Sequence, residues 1–75
     1  MKVGDLIRTM YGRFGTIVNG PYTYRFMEAE DWEMVQHGMG ELAGLYGSAV
    51  DVRFTDNGRK ERLRVGRGFE VLAHD

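Results

Sequence analysis

The chain has 75 residues, 43% of them hydrophobic, and no cysteine, so we expect one domain with its own core and exclude disulfides and thiolate metal sites. The N-terminus lacks the apolar stretch of a signal peptide, and no segment reaches the roughly 18 apolar residues of a membrane helix. We therefore expect a soluble protein of the cytoplasm. The net charge is −1, so the chain lacks the excess of basic residues that is usual in nucleic-acid-binding domains.

The charges are divided between the middle of the chain and its flanks. Residues 27–50 contain five acidic residues and no Lys or Arg, whereas the flanks hold all ten basic residues and six acidic ones. The middle therefore carries −5 and the flanks +4. We expect either a solvated helix face between ordinary strands or an acidic appendage on a basic surface. Such an appendage would repel nucleic acid locally or dock on a basic partner.

The opening of the chain predicts two strands joined by a glycine turn. Residues 3–8 are predicted to form the first strand, with a turn or bulge at Gly4-Asp5. The glycine-rich turn at 11–15 leads into a β-branched run at 16–18, which has a high strand preference.

The Asn19-Gly20-Pro21 sequence predicts a break in the chain. Tyr22, Tyr24 and Phe26 alternate with polar residues, which indicates a short strand. We expect this strand to pair with residues 14–18 across the Asn-Gly turn. The proline weakens that pairing because it has no N–H to donate.

The period of the apolar residues changes to three and four in the acidic segment. This spacing predicts a helix over residues 28–37 that ends near Gly38 with a left-handed cap. We expect a shorter helical turn to span 40–46, because Gly38 and Gly40 interrupt the pattern. One continuous helix is the alternative.

A hairpin is the clearest feature of the second half. Residues 49–54 alternate apolar and charged side chains, Asn57-Gly58 is a strong turn signal, and residues 60–65 form the return strand. A glycine corner at 66–68 then leads into a last strand at 69–72. We assign to the core the three phenylalanines Phe14, Phe54 and Phe69.

The segment from Val3 to Val18, with Gly4-Asp5 and Gly12-Arg13-Phe14-Gly15-Thr16-Ile17, resembles the opening of SH3-like barrels. In these barrels a Gly-Asp pair begins the first strand and a Gly-x-x-Gly-x-[IV] element begins the second. It is similar to the KOW element of ribosomal proteins and transcription elongation factors. Glycine suits such tight corners because it adopts positive φ and permits close backbone approach.

The hairpin at 50–65 and the closing residues 69–72 resemble the second half of such barrels. The resemblance implies one domain over 1–75, mainly β with a helical insert: a five- to six-stranded SH3-like small barrel. The helix lies between the two halves, and residues 27–47 form the acidic insert. The ligand-site motif of signalling SH3 domains is missing, so binding of proline-rich peptides is not implied.

The two ends of the chain carry a looser resemblance. The opening Met-Lys-Val-Gly-Asp-Leu and the closing Glu-Val-Leu strand resemble small proteins of unknown function from tailed phages of marine bacteria. This implies a source and no activity.

One candidate site is a basic nucleic-acid face formed by Arg13, Lys60, Arg62, Arg64 and Arg67. Arg62 and Arg64 share a strand face, and Arg67 follows on a corner. With Tyr11 or Phe14 exposed nearby, this face would combine phosphate contacts with base stacking.

The other interpretation of that face, which we favour, is that outward strand positions are simply charged and discourage edge pairing. Asp51, Asp56 and Glu61 would then neutralise the basic residues across the hairpin.

A second candidate site is a partner face formed by Tyr22, Tyr24, Trp32, Val35, Met39, Leu42 and Tyr46. Its aromatic residues would line a methylated-amine cage or a peptide groove. The alternative that we favour is that they pack the helix onto the barrel. Because the core is small, the apolar helix face also favours a homodimer.

No constellation points to catalysis, a metal or a cofactor. The helix begins with the acidic residues Glu28, Glu30, Asp31 and Glu33. Carboxylates at consecutive helix positions diverge, whereas acid–base chemistry needs them to converge in a pocket. His37 and His74 are far apart in sequence, and neither a phosphate loop nor a nucleophile elbow is present.

We therefore expect a non-enzymatic interaction module that binds a protein partner or itself, with its helix packed over one barrel opening. The alternative is a nucleic-acid-binding KOW/SH3-like domain that uses the basic strand face. We expect no cofactor, no metal, no small-molecule substrate and no membrane contact.

Overall fold

The computed structural model describes residues 1–73, which form five strands, one α-helix and one 3-10 turn. The elements in chain order are β1 (Leu6–Thr9), β2 (Phe14–Phe26), α1 (Ala29–Gln36), the 3-10 turn (Gly40–Leu42), β3 (Leu45–Phe54), β4 (Lys60–Arg64) and β5 (Phe69–Ala73). The strands form one antiparallel sheet in the order β4-β3-β2-β1-β5. The prediction of a mainly β chain with a helical insert between its two halves is confirmed.

The two edge strands of the sheet are β4 and β5. Within residues 1–73 no ladder joins these edges, so the sheet is open in its hydrogen bonding. Closure into a barrel therefore stays a prediction.

The hairpin of β3 and β4 forms where the sequence predicts it. Arg53 pairs with Lys60, and the N–H of Phe54 donates to the carbonyl oxygen of Arg59 at 2.9 Å. Gly58 supplies the positive φ, +68°, that the turn requires. The strand β3 begins at Leu45, four residues before the predicted start, because its first half pairs with β2.

The Asn19-Gly20-Pro21 segment does not turn the chain. Strand β2 runs through it and pairs with β3 on both sides, so the predicted pairing of residues 22–26 with 14–18 is wrong. The register is irregular on both sides of Asn19, and bulges of this kind bend a strand. Gly20 has a φ of +101°, and a Cβ there would lie 2.8 Å from the Ala49 carbonyl oxygen. Both a turn and a bulge would use a glycine at this position. The bulge forms because β3 is long enough to pair with β2 on both sides of it.

The core lies on one face of the sheet. Its fully buried members come from three strands and are Ile7, Ile17, Val50, Val52 and Phe54. The half-buried residues packed against them are Leu63, Val65, Phe69 and Val71. Two of the three core phenylalanines are therefore placed as predicted. The third assignment is wrong, because Phe14 is 43% exposed.

Two glycines of the predicted second-strand motif have separate roles. Gly12 has a φ of +81° in the loop between β1 and β2. Gly15 is buried in β2, where a Cβ would overlap the Val52 side chain and lie 3.0 Å from the Arg53 carbonyl oxygen. Gly12 is therefore required for its positive φ, and Gly15 is required because a side chain there would overlap its neighbours.

The insert contains two helical pieces, as the glycine pattern predicts, but the second covers only Gly40–Leu42 instead of 40–46, because Leu45 and Tyr46 already pair with β2 as part of β3. Helix α1 ends at Gln36, and Gly38 follows with a φ of +78° before the separate 3-10 turn. The predicted packing of the helix over a barrel opening is wrong, because α1 packs against the 3-10 turn and not against the sheet. It has no buried residue. The molecule accordingly measures 45 by 21 by 18 Å.

Among residues 1–73, no helix has the length and apolar character needed to cross a membrane.

Candidate interaction surfaces

An arginine–aromatic face covers the side of the sheet opposite the core. We define it by Tyr22, Tyr24 and Phe26 of β2 and Arg62 and Arg64 of β4. The three rings occupy alternate positions of β2, so they lie on one face. Successive rings meet edge to face, with centroids 6.5 and 5.1 Å apart.

The two arginines reach these rings by crossing β3, which lies between β2 and β4. The Arg62 Cζ lies 3.9 Å from the Tyr24 ring centroid, and the Arg64 Cζ lies 4.9 Å from that of Phe26. Gly47 leaves room for this crossing, because a Cβ there would lie 3.2 Å from the Arg64 Nε. Guanidinium groups stacked on rings are held by cation–π attraction and lose little water.

Tyr22 joins the face to a carboxylate. Its hydroxyl donates to Asp51 Oδ1 at 2.6 Å and accepts from the Arg62 Nε at 2.8 Å. The hydrogen bond from Tyr22 holds the pKa of Asp51 below its usual range, and Asn19 adds a weaker hydrogen bond to Oδ2 at 3.2 Å. The same hydroxyl raises the pKa of Arg62. Asp51 therefore stays ionised and Arg62 stays charged beside it.

Arg13 lies apart from this face and is neutralised. It donates two hydrogen bonds to Asp56, at 2.9 and 3.1 Å, and one to Glu61 at 3.2 Å, while its Cζ lies 3.8 Å from the Phe54 ring centroid. The hydrogen bonds that Arg13 donates to Asp56 raise the pKa of Arg13 and lower the pKa of Asp56. Of the three acids predicted to neutralise the basic residues, Asp56 and Glu61 pair with Arg13, whereas Asp51 is connected to Arg62 only through the Tyr22 hydroxyl.

The five residues of the predicted nucleic-acid face are thus divided. Arg62 and Arg64 lie together on the arginine–aromatic face, whereas Arg13 is engaged elsewhere and Arg67 lies in the loop after β4. Within residues 1–73, neither Arg62 nor Arg64 forms a salt bridge with a carboxylate. Lys60 is exposed at the start of β4.

The predicted partner face is also divided. Tyr22 and Tyr24 are half-buried in the sheet, where Arg62 lies over the Tyr24 ring and hydrogen-bonds to the Tyr22 hydroxyl. The remaining five residues form the apolar face of the insert and are exposed: Trp32 57%, Val35 41%, Met39 46%, Leu42 74% and Tyr46 72%. Packing of these side chains onto a barrel, the interpretation favoured from the sequence, is therefore wrong.

A groove of about 240 Å³ separates the start of α1 from the arginine–aromatic face. Its acidic side has Glu28, Glu30 and Asp31, and its other side has Arg64. The sequence did not single out Leu45, which also lines the groove and is 65% exposed. Leu45 falls inside the predicted helical insert, whereas in the structure it is the first residue of β3.

Asp31 and Glu28 are groove carboxylates that also cap the start of α1. Asp31 accepts the backbone N–H of Glu28 at 2.8 Å, and N–H groups of Glu28 and Gly44 lower its pKa. It therefore fixes the start of α1 to the segment before β3. Glu30 is exposed and, within residues 1–73, has neither a hydrogen bond nor a salt bridge from its side chain.

A larger, open groove of about 580 Å³ lies at the loops between β1 and β2 and between β4 and β5. Its charged residues, Arg8 and Glu70, pair with each other. In the described part of the chain, no three His, Asp or Glu side chains converge on a metal position. His37 is exposed after α1, and His74 lies outside the described residues.

No protein-family model matches the chain, and neither the curated proteins nor the solved structures with which it was compared include a match.

Proposed function

We propose that this chain is a non-enzymatic interaction module whose helical insert binds a second copy of the chain. The observation that carries the proposal is the apolar face of the insert. Five large side chains between Trp32 and Tyr46 are 41–74% exposed, and helix α1 packs against the 3-10 turn and not against the sheet. Groups of large exposed apolar side chains mark protein contact sites in small soluble domains.

Charge is the reason to name a second copy as the partner. The insert, residues 27–47, carries −5 and the remainder of the chain +4, so the insert of one copy complements the remainder of another in charge. The core supports the same proposal because its fully buried cluster has only five residues. Small domains with cores of this size commonly gain stability by association.

The fold proposal that accompanies this function is an SH3-like small barrel. The meandering order β4-β3-β2-β1-β5 supports it, because an antiparallel meander whose first strand pairs with its last is the connectivity of such barrels. The close packing at Gly15 supports it as well. A cytoplasmic location, suggested by the cysteine-free sequence, belongs to the same proposal, as does the tailed-phage source.

Sedimentation equilibrium of the full chain from micromolar to millimolar concentration tests the function. We expect a reversible monomer–dimer equilibrium that Leu42→Ser and Trp32→Ala weaken. Val3→Ser is the matched control, because Val3 is 56% exposed but lies outside the insert. A wild-type chain that stays monomeric at millimolar concentration would overturn the proposal.

A second candidate function is nucleic-acid binding, and the observation that favours it is the pair of stacked arginines. Arg62 and Arg64 keep N–H donors without a carboxylate partner among residues 1–73, beside aromatic rings. Such groups contact phosphates and stack bases. Titration with single- and double-stranded DNA and RNA at low salt tests it: binding should weaken steeply with salt. No binding at low salt would remove this candidate.

A further inference from the structure

The groove between α1 and the arginine–aromatic face carries both signs of charge. Glu30 of α1 and Arg64 of β4 both line it, together with the apolar side chains of Phe26 and Leu45. The two charged side chains line one cavity, yet they form no salt bridge with each other. Their hydrogen-bonding groups are therefore available to a molecule that enters the groove.

A patch with this arrangement complements itself. In a two-fold symmetric dimer the same patch of both subunits meets, so each contact between different residues occurs twice. A two-fold axis near Leu45 would bring the Arg64 of each copy to the Glu30 of the other. Leu45, 65% exposed in the single chain, would then lie between the two subunits.

We propose that the two copies dock through this groove, with reciprocal ion pairs between Arg64 of one subunit and Glu30 of the other. The inference rests on the proposed self-association and names its contact. Arg64 suits the role because stacking on Phe26 fixes its guanidinium before binding, so little side-chain entropy is lost when the pair forms. Glu30 suits it because the exposed carboxylate follows the first residue of α1.

Charge reversal provides the test. Glu30→Lys alone sets two lysines against two arginines, and Arg64→Glu alone sets four carboxylates against one another. We expect each single variant to dimerise at least about tenfold more weakly than the wild type at low salt, because two attractions become two repulsions. A mixture of the two variants should form a heterodimer with near wild-type affinity, because both of its contacts are again between opposite charges.

The mixture distinguishes a contact between subunits from one within a subunit. If Glu30 and Arg64 met only inside one chain, the double variant Glu30→Lys/Arg64→Glu would recover wild-type dimerisation. The mixture of the two single variants would not. Circular dichroism melts of each variant establish that the chain still folds, and the mixing result holds regardless of small changes in stability.

Matched controls come from the same elements. Glu33→Lys makes the same charge change on α1, and Arg59→Glu makes the same change in the hairpin turn, but neither residue lines the groove. Both controls should leave the dissociation constant within about threefold of wild type, because exposed charges outside an interface contribute little to affinity.

The outcomes separate this inference from the proposed function. A wild-type chain that never dimerises overturns both. Dimers that Glu30→Lys and Arg64→Glu leave unchanged overturn the groove contact and keep the function. Loss of oligonucleotide binding in Arg64→Glu with unchanged dimerisation would also overturn the groove contact and assign Arg64 to nucleic acid.

Discussion

The Arg62 guanidinium carbon lies 3.9 Å from the centroid of the Tyr24 ring, although a whole strand, β3, separates the two residues in the sheet. The arginine crosses β3 where that strand carries Ala49 and Gly47 in place of large side chains. Tyr22 connects the same arginine to Asp51. Side chains of three strands therefore form one contact set, and a change in one member affects the others.

Replacing Tyr22 with Phe should raise the pKa of Asp51 toward the ordinary value of an aspartate. The Tyr22 hydroxyl is the largest influence that lowers this pKa, and Phe removes the donor while keeping the ring. Carbon-13 NMR titration of the Asp51 carboxyl group measures the change. Asn19→Ala removes the weaker donor to the same carboxylate, so it should raise the pKa less. An equal or larger rise in the Asn19 variant would contradict the arrangement.

Replacing Gly15 with Ala should destabilise the chain by about 1–3 kcal/mol, as expected for overpacking in a core. The added methyl group would overlap Val52 and approach the Arg53 backbone, and neither can move freely. Urea denaturation measures the free energy of unfolding. Gly47→Ala is the comparison, because its methyl group would meet only the flexible end of Arg64, at 3.2 Å. A Gly15 variant as stable as the Gly47 variant would show that the close approach is absent.

Replacing Ile17 with Ala should cost about 2–5 kcal/mol, the usual cost of truncating a fully buried aliphatic side chain. Leu42→Ala removes a similar side chain from the insert, where it is 74% exposed, and should change stability by less than about 0.5 kcal/mol. Thermal and urea unfolding at a dilution that keeps the chain monomeric measure both. A large loss in the Leu42 variant would mean that the insert packs on the core after all.

Replacing Asp56 with Asn should remove a pH-dependent part of the stability. The hydrogen bonds from Arg13 lower the Asp56 pKa in the folded chain, relative to about 3.9 in an unfolded chain. The folded state therefore binds fewer protons than the unfolded state over this range. The stabilisation is complete above the unfolded pKa and is lost as the pH falls through the folded pKa.

Urea unfolding of the wild type and of Asp56→Asn at pH 7 and near pH 3 measures this difference. We expect the gap in unfolding free energy to be larger at pH 7 and to narrow in acid. Glu33→Gln is the control, because this exposed carboxylate has no salt bridge within residues 1–73. A gap that widens in acid would contradict the sign of the pKa shift.

Features that depend on neighbouring residues could be predicted from the sequence. The hairpin turn at Asn57-Gly58 and the helix end before Gly38 follow from backbone conformations that glycine adopts readily. These predictions needed no knowledge of which distant strands pair.

The candidate surfaces could be predicted only in part, because they depend on which distant strands pair. The sequence identified Arg62 and Arg64 as one group and Tyr22 and Tyr24 as members of another, whereas the sheet places all four on one face. Phe14 has the large apolar side chain expected of a core residue, but it is 43% exposed at the start of β2. Apolar character alone does not reveal whether a partner surface is present.

By itself, the sequence determined the strand and helix types, the division of charge between insert and flanks, and the positions that need glycine. These are local properties, set by side-chain period and backbone freedom. Only the tertiary structure decided that Asn19-Gly20-Pro21 is a bulge, because the length of β3 made continued pairing available. It also decided that the apolar face of the insert stays exposed, because the β2–β3 ladder carries the insert away from the core.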